Sequence, residues 1–159
     1  MRILVVSDSH GKSIDIRNAI EKSGPFDMLL HAGDIEADVE MIKKWAGCPC
    51  HFVRGNCDYD IHLKREEIIE VGEHKIFLTH GHMLGIDFGS ENLEYAALEN
   101  GCDVSICGHT HVPQLIYRQD ITVLNPGSIS RPRQHGRNKT FGIIELDRYG
   151  KLHFNIVGM

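Results

Sequence analysis

Apolar runs that end in a small residue and then in polar, metal-binding side chains recur along this chain. The first run, residues 3–6, is continuous and largely β-branched, as expected of a strand buried on both faces. Ser7-Asp8-Ser9-His10-Gly11 follows it. Ser13 can cap a helix over residues 13–23, with Ile14, Ala19 and Ile20 apolar and Gly24-Pro25 as its stop. Residues 28–31 read as the next strand, ended by Ala32-Gly33-Asp34. His31 lies inside that strand and reads as a packed histidine or one that supports a neighbouring ligand. Val39, Ile42, Trp45 and Ala46 have helical spacing, and Gly47 closes that helix. Residues 51–54 read as a strand, followed by Gly55-Asn56-Cys57-Asp58.

The second half is richer in strands. Residues 67–71 and 75–79 read as a hairpin around Gly72-Glu73, ending in Thr79-His80-Gly81-His82. Residues 90–100 read as a helix with Leu93, Ala96 and Ala97 inward. A buried strand over 103–107 leads into Gly108-His109-Thr110-His111. Residues 114–117 and 121–124 form a further predicted hairpin. It leads to Asn125-Pro126-Gly127-Ser128, a turn able to offer backbone N–H groups to an anion. Arg131 and Arg133 come next; they could help to hold phosphate, though exposed surface arginines are the plainer reading. Strands over 141–146 and 152–157 close the chain. Helices alternate with strands at first, then strands dominate, which predicts an α/β fold with helices covering packed sheets. The polar clusters follow strands, so they should gather at one sheet edge.

Length and charge narrow the classes. The 159 residues, with no repeat or linker, suit a single domain over 1–159. A net charge of −5 without a basic block argues against tight duplex binding. The five cysteines include no C-x-x-C pair and read as reduced thiols. The apolar run near the start is too short for a signal peptide or membrane span, so a cytoplasmic protein without membrane insertion is expected. Eleven histidines is a high count, and five fall in the clusters above.

Those clusters carry the chemistry. His109 and His111, like Asp8 and His10, are two apart at a strand end and should face one point. Asp8, His10, Asp34, Asn56, His80, His109 and His111 are too many ligands for one tetrahedral zinc, and no thiolate pair suits a structural one. Carboxylate, amide and imidazole donors together suit two divalent ions, manganese first, with nickel, iron, cobalt or zinc as alternatives. One carboxylate must bridge them, and Asp34 is the choice. Two ions about 3.5–4 Å apart activate a water and neutralise a phosphoryl group in flight. His82 suits a supporting or substrate-contacting place as well as ligation.

Asp8-x-His10, Gly33-Asp34, Gly55-Asn56, His80 and Gly108-His109-Thr110-His111, in this order, resemble the calcineurin-like metallophosphoesterase superfamily. The resemblance runs from Ile3 to about Arg133 and is nearest to the small YfcE-like phosphodiesterase branch. It implies a four-layer α-β-β-α sandwich. It implies one metal on Asp8, His10, Asp34 and His111, and a second on Asp34, Asn56, His80 and His109. A hydroxide bridging the metals would attack phosphorus in line, with Asp34 and Asn56 as catalytic residues and Asn56 and His82 contacting a small phosphodiester or phosphomonoester. Many relatives carry a histidine after Gly-Asn; Cys57 stands there instead, and a thiol is the poorer acid–base group near neutral pH. Other readings are a protein-binding scaffold, as in the retromer sorting subunit, and a nuclease or dinucleotide hydrolase. Homo-oligomers are compatible with each.

Overall fold

The computed structural model describes residues 1–159. Ten strands and three α-helices follow in the order β1 (Arg2–Val6), α1 (Ser13–Ser23), β2 (Met28–His31), α2 (Val39–Ala46), β3 (Cys50–Phe52), β4 (Glu66–Val71), β5 (His74–Thr79), α3 (Glu91–Glu99), β6 (Val104–Ile106), β7 (Gln114–Tyr117), β8 (Thr122–Asn125), β9 (Thr140–Leu146) and β10 (Leu152–Gly158). They form two five-stranded sheets, ordered β10-β9-β1-β2-β3 and β4-β5-β6-β8-β7.

Side-chain alternation along β1 builds the layers. Ile3 and Val5 enter a core shared with Met28 and Leu30 of their own sheet and with Ile76, Leu78, Val104, Ile106 and Leu124 of the other. Leu4 and Val6 point the opposite way, onto Ile16 and Ala19 of α1 and Ile42 of α2. On the far side of the second sheet, Phe77 and Val123 pack against Leu93 and Ala97 of α3. Three apolar cores thus separate four layers, α-β-β-α, as the family resemblance implies.

Topology then sets where the loops emerge. β1, β2 and β3 are parallel neighbours, with Val6 beside His31 and His31 beside Phe52. β5, β6 and β8 are likewise parallel, with Leu78 beside Ile106 and Ile106 beside Leu124. The segments following all six strands therefore leave at C-terminal strand ends, where α/β folds bind ligands.

Several local expectations are corrected. The third strand stops at Phe52, because Arg54 turns away to donate its N–H to the Lys64 carbonyl at 2.7 Å. Ser13 is the first residue of α1 and makes no capping bond. Ile14 is 60% exposed, and Ile16 takes the inward place. No helix is long and apolar enough to cross a membrane.

Candidate metal centre

Seven residues other than glycine have positive φ, and six of them surround one point: Asp8, His10, Asp34, Glu36, His109 and His111, between 44° and 67°. The left-handed region costs a side-chain-bearing residue roughly 1 kcal/mol or more, and such outliers cluster at functional sites. Backbone bonds hold the kinks. Asp8 N–H donates to Gly33 O at 3.0 Å, His10 N–H to Asp34 O at 2.9 Å and Gly11 N–H to Ile35 O at 3.0 Å. The Ser128 and Ser130 hydroxyls both donate to Asp8 O at 2.8 Å. The strand pleat does not aim the ligand pairs, as the spacing suggests. β1 stops at Val6 and β6 at Ile106, and the left-handed kinks beyond them bring the side chains together.

Two glycines are demanded by close approach. A Cβ on Gly55 would overlap the Asp34 carboxylate and backbone nitrogen. On Gly108 it would overlap Ser7 Oγ and come within 2.7 Å of Asp8 Oδ2.

The structure brings all seven predicted ligands to this edge, in two adjoining groups. Donor atoms of Asp8, His10, Asp34 and His111, all buried, lie within 4.8 Å of one another. His10 Nε2 and His111 Nε2 are 3.2 Å apart, and His111 Nε2 is 3.2 Å from Asp8 Oδ1. In the adjoining group, Asn56 Oδ1 lies 3.1 Å from both His80 Nε2 and His109 Nδ1. Asp34 Oδ2 stands between the groups, 3.7 Å from His10 Nε2 and 3.5 Å from His80 Nε2.

Each of the four imidazoles is anchored by its outer nitrogen. His10 Nδ1 is 2.6 Å from Glu36 Oε2, and His109 Nε2 is 2.8 Å from Asp87 Oδ2. His80 Nδ1 donates to Ala32 O at 2.7 Å, and His111 Nδ1 to Arg131 O at 2.6 Å. A neutral imidazole that donates outward has a bare lone pair inward. With all four rings neutral, four lone pairs converge on carboxylate and amide oxygens, an arrangement that repels itself unless protons or metal cations lie between. The residues fit divalent metal. Asp8 Oδ1 is buried with no hydrogen-bond partner. The 3.1–3.2 Å separations match the ~3.0 Å expected of adjacent ligands bonded at about 2.1 Å.

Burial pushes the Asp34 carboxyl up, but the His80 imidazole and the Cys57 N–H, 2.8 Å from Oδ1, outweigh it and hold Asp34 well below the usual carboxylate range. Burial lowers His80 in turn, and the Asp34 and Asp8 carboxylates more than restore it. The Cys57 thiol is pushed up to about 11 by burial and by neighbouring carboxylates.

Glu36, Asp87, Asp58 and Asn125 complete the support. Asp58 accepts N–H bonds from Ile35, Glu36 and Gly55 at 2.8–2.9 Å and so ties the Asp34 and Asn56 loops together. Asn125 donates to Gly108 O at 2.7 Å and braces the 108–111 loop. Glu36, two residues after Asp34, was within reach of sequence reasoning; Asp87 lies in a separate 3-10 turn, Ile86–Phe88, with no motif to mark it. His31 is fully buried, its Nε2 3.0 Å from the hydroxyl of Ser9 between Asp8 and His10, which fits the supporting role expected of it. The 125–128 turn differs from expectation. Gly127 N–H is taken by Asn125 Oδ1 at 2.9 Å and Ile129 N–H by Ser7 O, so the turn buttresses Asp8 instead of presenting these donors to an anion.

His82 stands beside the ligand groups, its ring centroid 5.3 Å from that of His80. It lines a cleft of about 200 Å³ with Arg54, Gly55, Asn56, Arg65 and Met83, and its Nδ1 is buried without a partner. Burial lowers its imidazole pKa.

A four-layer α-β-β-α sandwich with a carboxylate–imidazole cluster on its C-terminal edge defines a class of metal-dependent phosphoester hydrolases. The profile of the calcineurin-like phosphoesterase superfamily domain matches residues 1–149, and the chain belongs to that family. The resemblance carried by its motifs is borne out. A probable metallophosphoesterase of Bacillus subtilis, YsnB, is 34% identical over 148 residues, spanning 92% of this chain and 85% of that protein. The phosphodiesterase YfcE of Escherichia coli K12 is 38% identical over 105 residues, spanning 60% of this chain and 52% of YfcE. Among solved structures, a phosphoesterase-like protein from Streptococcus pneumoniae TIGR4 superposes with a TM-score of 0.81 at 29% identity, covering 99% and 97% of the two chains. Vps29 of Entamoeba histolytica, solved with Zn2+, shares the fold at 23% identity, with a TM-score of 0.78 and 99% of each chain covered.

Proposed function

We propose that this protein is a metal-dependent phosphodiesterase with a dinuclear centre. Asp8, His10, Asp34 and His111 would hold one divalent ion, and Asp34, Asn56, His80 and His109 the other, with Asp34 shared. The observation that carries this reading is the anchoring of four imidazoles by their outer nitrogens, which turns four lone pairs onto Asp8, Asp34 and Asn56. Manganese is the first candidate, and such O/N donor sets also admit nickel, iron, cobalt and zinc. When bound, the ions would activate a water for attack on phosphorus and would neutralise the charge that develops there. The chain's own residues orient the ester. Asn56 and His82 border the cleft beside the ligand groups, and Arg54 and Arg65 give that cleft positive charge.

Cys57, with its thiol raised to about 11, stays protonated and is a weak proton donor at neutral pH. Diesters with good leaving groups need no such donor, so diesters are the favoured substrates. A protein-binding scaffold has no need of the complete ligand set, and a net charge of −5 disfavours long nucleic acids. One domain over 1–159 belongs to this reading. So does a cytoplasmic location, which five free cysteines suit.

The test is hydrolysis of bis-p-nitrophenyl phosphate by chelator-stripped protein, with and without manganese, beside p-nitrophenyl phosphate. Manganese should restore diesterase activity. Silence with manganese, nickel and zinc, despite bound metal, would exclude the enzyme.

A further inference from the structure

The chain is acidic overall, yet Ser130, Arg131, Pro132, Arg133, Arg137 and Lys139 line one cleft of about 540 Å³. Arg2, Arg17 and Arg118 are each paired with a glutamate. No carboxylate pairs with Arg131, Arg133 or Arg137, and within the cleft only Lys139 is neutralised, by Asp15 at 2.7 Å. Arg131, Arg133 and Arg137 are exposed, and an anion in this cleft would meet all three unpaired charges.

The cleft shares its backbone with the metal centre. The Arg131 carbonyl accepts from His111 Nδ1 at 2.6 Å, and Arg133 N–H donates to the His111 carbonyl at 3.2 Å. Ser130 Oγ donates to the Asp8 carbonyl at 2.8 Å. The segment that lines the cleft is therefore bonded directly to the outer edge of His111 and to the backbone of Asp8.

We infer that the cleft binds a second phosphate carried by the substrate, so that the preferred substrates are phosphodiesters bearing a phosphomonoester on the side that does not leave. Guanidinium forks match phosphate oxygens, and a dianion answers several of them at once. Positive charge gathered in two small clefts, this one and that of Arg54 and Arg65, suits separate phosphates better than a polynucleotide, which needs a basic stripe. This inference rests on the phosphodiesterase reading above.

A matched pair of chromogenic esters tests it. Thymidine 5′-(p-nitrophenyl phosphate) and its 3′-phosphorylated counterpart share the scissile bond and the leaving group and differ only in the remote phosphate. With manganese, kcat/KM for the phosphorylated ester should exceed that of the plain one about tenfold, the scale expected of a few exposed charge pairs. The Arg133→Gln/Arg137→Gln double variant should bring that ratio close to unity. Equal rates in the unaltered protein, or an unchanged ratio in the variant, overturn the inference. If millimolar inorganic phosphate changes turnover of the plain ester in the unaltered protein but not in the variant, the cleft is an effector site, and the substrate-tail assignment falls. Absence of metal-dependent turnover of either ester is a different failure, that of the phosphodiesterase reading itself.

Discussion

His10 and His111, 101 positions apart in sequence, meet Nε2 to Nε2 at 3.2 Å. Neither nitrogen can yield by changing tautomer, because Glu36 and the Arg131 carbonyl hold the opposite ring atoms. The buried Asp8 and Asp34 carboxylates face the same point. A cation there would relieve all of these contacts, so metal binding is linked to folding. A ligand at 100 times its dissociation constant stabilises by about 2.7 kcal/mol, and about 2–4 °C per kcal/mol applies at this size. Manganese added to stripped protein should therefore raise Tm by about 5–10 °C in a thermal melt. A melt indifferent to manganese and chelator would remove the metal centre.

Asp34 is the one carboxylate within 3.7 Å of imidazole nitrogens from both groups. Asp34→Asn keeps the shape and removes the charge that a bridge needs. Both ions should be lost together, and kcat/KM should fall by more than about 100-fold, the upper range for merely supporting residues. Metal analysis beside the bis-p-nitrophenyl phosphate assay decides; an active variant retaining both ions refutes the bridge.

Asp87 touches His109 through Nε2, on the ring edge away from Asn56. Without that acceptor the imidazole can place its proton on Nδ1 and lose its inward lone pair. Asp87→Ala should weaken manganese activation by about 10–100-fold. Asp87→Asn should recover part of the loss, since its carbonyl still accepts. A manganese titration of activity reads both, and an alanine variant with an unaltered midpoint would show the contact to be incidental.

His31 gives a pH signature separate from catalysis. Burial pushes its pKa down to about 4 from 6.5. Above pH 6.5 the ring is neutral in both folded and unfolded chains, and its contribution to stability is complete. As pH falls from 6.5 to 4, the unfolded chain takes up a proton that the folded one refuses, and stability declines by about 3 kcal/mol in total. His31→Gln can still bond Ser9 and does not titrate, so urea midpoints should fall less steeply across that window. Parallel pH profiles for the two proteins would mean that His31 is protonated while folded.

The candidate ligands were legible because their residue types are distinctive and follow apolar runs. The layers were legible because a strand such as Ile3–Val6, apolar at every position, must be covered on both faces. Neither the kinks nor the outer partners could be read that way. Asp8, His10, Asp34, His109 and His111 adopt left-handed backbone without being glycine, held by long-range bonds such as Ser128 to Asp8. Asp87 reaches His109 from a surface turn 22 residues earlier. In α1, Ile14 and Ile16 are both apolar, and only packing on Leu4 and Val6 decides that Ile16 turns inward.

Cys57 is expected to set the balance between esters. Its N–H holds Asp34 Oδ1, and its sulfur lies near His10 and Glu36, within the 4.8 Å spread of their donor atoms. Its side chain is half-buried beside the candidate ligands, and the prediction places it within reach of the leaving group. A thiol raised to about 11 donates poorly there, whereas an imidazole titrates near neutrality. Monoesters with poor leaving groups need that proton; p-nitrophenolate esters need it little. Cys57→His keeps the backbone bond to Asp34 and adds a donor, so the rate on β-glycerophosphate should rise about 10–100-fold relative to bis-p-nitrophenyl phosphate. The ratio of the two kcat/KM values, measured with manganese saturating, is the readout. An unchanged ratio in a variant of normal metal content would mean that another group already supplies the proton, with His82 in the adjoining cleft the next residue to substitute.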